Sequence, residues 1–177
     1  MIITDRQTLS QISIPLSATE QEDVFLALET EIRRHANAVG LAAPQIGLLR
    51  QAFVYYSLVD ERRGVAAGRT LIRVANPMVI SMEGHTVDSV EGCLSVPGVQ
   101  YLVPRYAEIC IQDDLHGRMV LTGEDARVVQ HEMDHLVGLT IVDVGVLIPA
   151  SIERNDPCYC GQHKNGRPVK YKHCHGR

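Results

Sequence analysis

The stretch QHEMDHLVG, residues 130–138, constrains the fold more than any other part of the chain. It sets His131 and His135 four residues apart with Glu132 between them. A helix turns that spacing into two imidazoles on one face, about 6 Å apart along the axis, so both reach one ion. Glu132, one step round the helix, approaches solvent at such an ion without being a ligand. Thr122 is the expected cap, with Glu124 and Asp125 in a first turn where negative charge suits the helix dipole. Ala126, Val129, Met133 and Leu136 form the expected buried side, and the helix runs to about Val137 with Gly138 closing it.

Before that helix the chain reads as strands and turns. Thr19, followed three residues later by Glu22, has the form of a capping box ahead of Val24, Leu28 and Ile32, which predicts a helix over residues 20–36. VGLAAPQIG, residues 39–47, breaks helical periodicity at Gly40, Pro44 and Gly47 and reads as a loop held by packing. QAFVYYSLV (51–59), TLIRVANPMVI (70–80) and AEICIQD (107–113) cluster β-branched residues between turn signals, as strands do. DERRGVAAGR (60–69) reads as an exposed hairpin or loop. Strands followed by a late core helix imply an α+β fold, with mixed or antiparallel sheets packed around the HExxH-bearing helix.

The 177 residues accommodate one ordinary domain plus a small appendage. Composition changes after Pro149, which divides the chain into a main domain over 1–150 and a tail over 151–177. Hydrophobic residues at 45% and charged residues at 21% suit a soluble globular protein. No apolar run approaches the roughly 20 residues that a bilayer span requires, and the first residues lack a basic segment followed by an apolar one. A cytoplasmic protein with no membrane partner is therefore expected. Charge is split: residues 151–177 hold six Lys/Arg against two acids, the rest eleven against nineteen. The tail is the part suited to a polyanion, unless it is simply a solvated basic end.

Two imidazoles do not complete a catalytic metal site, and the third donor decides its class. A downstream glutamate or histidine would mark a zinc peptidase. After His135, however, the chain offers only Asp143 before Glu153. Upstream, Cys93 lies between Gly92 and Leu94 in a small-residue segment. By itself it reads as a small buried hydrophobe; beside HExxH it reads as a sulfur facing the helix. A zinc peptidase and a binding protein built on a core without turnover are the alternative readings.

GLAAPQIG (40–47), EGCLS (91–95) and QHEMDHLVG (130–138) resemble, in order and at similar separations, the three signature motifs of the peptide deformylases. ANPMV and DDLHG also resemble family segments, so the likeness covers about residues 1–148. The resemblance implies that Cys93, His131 and His135 bind one divalent metal, Fe2+ in the family with Zn2+, Ni2+ or Co2+ able to substitute, leaving a fourth position to water. It implies that this water attacks the formyl carbon of N-formylmethionyl nascent peptides and that Glu132 is general base and then acid. Gln45 and the backbone N–H of Leu94 would hold the carbonyl oxygen, with Gly40 and Glu91 shaping the site behind them. The products would be formate and a free N-terminal methionine. Asp134 fits the family pattern, although a helix carboxylate making local hydrogen bonds is the plainer reading. Ser95 has no paired base, His35, His85 and His116 read as surface or packing residues, and Cys110 reads as strand core. Ala38, Glu124 and Asp125 depart from the family pattern and put the shape of the methionine pocket in question.

The tail poses its own question. Cys158, Cys160, Cys174 and His175 supply four donors, enough to close a tetrahedral zinc site, and so short a segment has too little core to fold without a staple. Where thiols stay reduced, cysteines crowded with histidines bind metal more often than they cross-link. DPCYCG and KYKHCHG resemble the two halves of the SEC-C motif, a short zinc-binding module. Thirteen residues between Cys160 and Cys174 exceed its usual spacing, so HKNGRPV reads as an inserted loop, and His173 competes with His175 as fourth ligand. The basic charge suggests contact with the ribosome; DNA is not an expected partner.

Overall fold

The computed structural model describes the backbone of residues 1–60 and 65–176, and their side chains except at 58–60 and 65–68. Short α1 (Arg6–Leu9) and then α2 (Gln21–Ile32) lead into a sheet ordered β1–β2–β3, made of Gly40–Ala42, Ala52–Asp60 and Val65–Ala75. A second sheet joins β4 (Met78–Cys93), β5 (Val96–Asp113) and β6 (Gly117–Thr122), with β7 (Val146–Ile148) pairing β5. Every pairing between these strands is antiparallel. Helix α3 (Gly123–Leu136) packs against β1, β2 and β5.

The apolar run in β2 explains this layering. Successive strand residues face opposite sides, so a strand covered on both faces is continuously hydrophobic. Ala52 and Val54 join Phe25, Leu28 and Ile32 of α2 in one buried cluster. Phe53 and Tyr55 join Ala126, Val129 and Leu136 of α3, together with Ile109 and Ile111 of β5, in another. The central helix is thereby held between two sheets, as the α+β reading expects.

Local expectations fare unevenly. Residues 39–47 are not simply a loop: Gly40–Ala42 pairs with β2, and a 3-10 turn, Ala43–Ile46, follows. Residues 70–80 are not one strand, because Asn76 takes a left-handed backbone (φ 51°) before Pro77 and divides β3 from β4. Asparagine tolerates that conformation, and here its side chain bonds both backbone groups of Leu16. The expected Thr19/Glu22 capping box does not form; Glu20 instead accepts from the Ser17 hydroxyl at 2.6 Å, and α2 ends at Ile32. The 60–69 segment lies partly outside the described residues, and its described end, from Val65, begins β3.

At the end of α3 the expectation for Gly138 holds. Its φ is +80°, the Gly138 N–H donates to His135 and the Leu139 N–H to Asp134. This is the paired closure that a left-handed residue after a helix permits. An added Cβ there would meet the Ser10 carbonyl oxygen at 2.4 Å, so glycine is required on two grounds. Thr122 is extended as a cap residue should be, but its side chain makes no cap bond. The following α4 (Ile141–Val144), which the sequence reading passed over, is capped by Thr140 and Asp143. Asp143 also pairs with Arg6, so this acid serves helix closure rather than ligation.

In the tail, HKNGRPV is an ordered hairpin rather than a loose insertion. β8 (His163–Lys164) pairs with β9 (Arg167–Pro168) across Asn165 and Gly166, both at positive φ. Asn-Gly is the pair that such a two-residue turn favours.

Candidate active site

Three separate segments converge on one side of α3. Cys93 is the last residue of β4 and faces Val96 across the tight turn into β5. Its Sγ lies 3.3 Å from His135 Nε2. The ligating atoms of Cys93, His131 and His135 all lie within 4.8 Å of one another. The helix spacing thus meets its third donor from a strand nearly forty residues earlier.

The imidazoles are held from behind. His131 Nδ1 lies 2.9 Å from Glu91 Oε2, which leaves Nε2 for an ion. Arg105 donates to both oxygens of Glu91 at 2.9 Å and to Asp134 at 2.6 Å. Burial alone would raise the Glu91 carboxyl, but Arg105 and His131 outweigh it and hold it at about 2. Asp134 therefore bonds across to the sheet, which corrects the expectation of local helix contacts, while burial still raises its carboxyl. Arg105 is the participant that sequence reasoning missed; its only signal was that it is the one Lys or Arg in β5.

Charge in the cluster suits a cation. Burial would lower His131, yet the Cys93 sulfur and the Glu91 carboxylate raise it to about 10. Burial lowers His135 to about 3, and the nearby charge on His131 adds to this. One sulfur with two imidazoles fits a first-row divalent ion.

Glu132 is 3% exposed, its Oε2 has no hydrogen-bond partner, and burial pushes its carboxyl up to about 7. Gly40 makes room for it: a Cβ at that position would lie 2.3 Å from Glu132 Oε1. This is a steric requirement, since Gly40 is not in the left-handed region. Gln45, in the 3-10 turn, accepts the Ala42 N–H through Oε1 at 2.9 Å. That bond sets its amide so that Nε2 donates to Cys93 Sγ at 3.4 Å and Ser95 Oγ at 3.3 Å. Ser95 is thus a partner of Gln45, consistent with the lack of a paired base.

A pocket of about 620 Å³ opens over these groups, lined by Gln45, Cys93, Leu94, His131 and Glu132 and walled by apolar residues such as Val128. Ala38 also lines it and is buried in the core. Glu124 and Asp125 do not line it: Glu124 pairs with Arg127 at 2.7 Å, and buried Asp125 accepts from Ser57 on β2. Of the surface histidines, His35 meets Glu31 and His116 meets Asp113, while Cys110 is buried in β5 and accepts from Arg118.

The tail donors also gather. Cys158, Cys160, Cys174 and His175 place their ligating atoms within 4.8 Å of one another. His175, rather than His173, completes the group, with Nδ1 at 3.3 Å from Cys158 Sγ and 3.2 Å from Cys174 Sγ.

The sequence profile of the polypeptide deformylases matches residues 2–147. Peptide deformylase 2 of Pseudomonas putida is 41% identical over 112 residues, covering 61% of this chain and 63% of that one. The peptide deformylase of Thermus thermophilus is 45% identical over 115 residues, 59% of each chain. The matched stretches thus span less than two thirds of these relatives. Among solved structures, a class I type b peptide deformylase from Acinetobacter baumannii bound to Met-Ala-Ser superposes with a TM-score of 0.71 at 28% identity, over 81% of this chain and 96% of that one.

Proposed function

The chain belongs to the polypeptide deformylase family, and on that premise we propose that it removes the N-formyl group from the N-terminal formylmethionine of newly made polypeptides. The observation that carries this reading is the meeting of Cys93, His131 and His135 beside a buried, unpartnered Glu132 in one open pocket. The Acinetobacter relative, whose structure holds Met-Ala-Ser, supports a short N-terminal peptide as the occupant.

Cys93, His131 and His135 would hold the divalent ion, with Fe2+ the expected metal and Zn2+, Ni2+ or Co2+ compatible with the same donors. When bound, the ion supplies Lewis acidity that makes water a nucleophile near neutral pH. Glu132, at about 7, takes a proton as water adds to the formyl carbon. The same carboxyl then delivers that proton to the peptide nitrogen as the C–N bond breaks, and the second proton of the water passes from the released acid to the amine, so formate and an ammonium N-terminus leave in balance. Gln45 Nε2 and the Leu94 N–H would face the oxygen on which charge develops, each donor contributing about 3 kcal/mol in comparable sites. Gly40 keeps Glu132 in place, and Glu91 keeps His131 in place.

The tail donors would close a structural zinc site, since four ligands leave no position for substrate. We assign residues 1–150 to the catalytic unit and 151–177 to this knuckle. Its six Lys and Arg residues against two acids suit ribosome contact in the cytoplasm, where nascent formylated chains are found. No helix among the described residues is long and apolar enough to cross a membrane. Formate release from formyl-Met-Ala-Ser by anaerobically purified protein, with metal counting, tests the reading. Two metal equivalents and turnover are expected; cleavage of unformylated peptides without formate release would replace it with the peptidase reading. Ribosome cosedimentation of the full chain against a 1–150 truncation tests the tail.

A further inference from the structure

His175 uses only one of its two ring nitrogens within the tail cluster. Nδ1 faces the sulfurs of Cys158 and Cys174, and the ring stacks obliquely beside Tyr159 with centroids 5.2 Å apart. Nε2 points outward, 3.9 Å from Asp88 Oδ2 on β4. Among the described residues this is the one carboxylate–imidazole contact between tail and body. We propose that the Asp88 carboxylate pairs with the outer nitrogen of His175 and latches the loaded tail cluster onto the catalytic sheet. The inference rests on the tail reading above.

The chemistry makes the latch depend on loading. An imidazole whose Nδ1 gives its lone pair to a cation carries its proton on Nε2, and that N–H becomes a better donor to a carboxylate. The carboxylate in turn fixes the ring orientation and makes the imidazole a stronger ligand. An empty cluster leaves the tautomer free and the pair weak. Asp88 is half exposed on β4, opposite Pro104 of β5, so its carboxylate is available to a partner outside the sheet. It precedes Val90, which lines the pocket, and Cys93, which ends the same strand. The latch therefore carries the cationic hairpin on the strand that walls the pocket, rather than on a free tether. Asp88 is a positioning residue and touches no reacting atom.

The test uses the full-length, zinc-loaded chain and reads zinc release to a colorimetric chelator together with tryptic cleavage after Arg154. Asp88→Asn is expected to speed release about tenfold and to accelerate cleavage, with formate release from a short peptide unchanged. Asp88→Glu should restore both, because the longer side chain still reaches the ring. Glu83→Gln, an exposed carboxylate change on the same strand, should alter neither. If Asp88→Asn matches Glu83→Gln while Cys160→Ser has lost its zinc, the tail site stands and the latch is overturned. If Cys160→Ser keeps the full zinc content, the tail site itself is overturned, and the latch with it.

Discussion

The two sulfur–imidazole clusters use the same kinds of side chain and differ in nearly everything that surrounds them. The body cluster has three donors, drawn from a strand and a helix far apart in sequence, with a buried carboxyl and a pocket on its open side. The tail cluster has four donors drawn from residues 158–175, only one of them fully buried, and the acid that approaches it, Asp88, is half exposed rather than buried as Glu132 is. On the proposed reading, ligand type therefore does not separate reaction from scaffolding. The number of donors, the open position and the neighbouring proton carrier separate them.

The sharpest way to break that contrast is to remove one group from each side. Glu132→Gln is expected to lower formate release about 1,000-fold with metal retained, whereas Cys160→Ser should leave turnover of a short formyl peptide within about twofold, because only an open site reacts. Steady-state formate assays with metal analysis decide it; comparable losses in both variants would erase the distinction.

The support behind the body cluster predicts the next largest effect. Glu91→Gln leaves Arg105 buried with half its partners and should cost about 3 kcal/mol of stability near neutral pH. The folded Glu91 carboxyl lies at about 2, below its ordinary value. Its stabilisation is therefore complete above roughly pH 4.5 and is lost as pH falls toward 2. Chemical unfolding of both proteins across that window should show the difference shrinking on acidification. A difference independent of pH would assign the effect to packing instead.

Gly40→Ala follows. The added methyl would displace Glu132 by about an ångström, a misplacement that costs about 100-fold in rate. Retained metal content beside a lower kcat is the expected signature. The smallest effect on the body is expected from emptying the tail: Cys158→Ser should open residues 151–177 to protease while the main thermal transition moves by less than about 2 °C, since metal and folding are linked only within the short segment.

Much of this contrast was legible along the chain. The His-Glu-x-x-His spacing requires a helix, the apolar run in β2 matches a strand covered on both faces, and the crowded Cys and His residues of the tail are near one another because they are near in sequence. Less was legible where a turn hides inside an apolar run. Asn76 divides β3 from β4 with a left-handed backbone that its bonds to Leu16 sustain, and those partners are sixty residues apart. Glu124 and Asp125 looked like departures at the pocket, yet the helix turns them away from it.

By itself the sequence determined which donors exist and which of them share a helix face, because helix periodicity is a local property of the backbone. It also determined that residues 158–175 could form a compact donor group. Only the tertiary structure decided that the Cys93 sulfur reaches His135, that Gly40 is vacant space for Glu132, and that Arg105 ties Glu91 to Asp134. Those are distances between strands and a helix whose order in space follows from packing two sheets around α3, and packing depends on all the apolar faces at once.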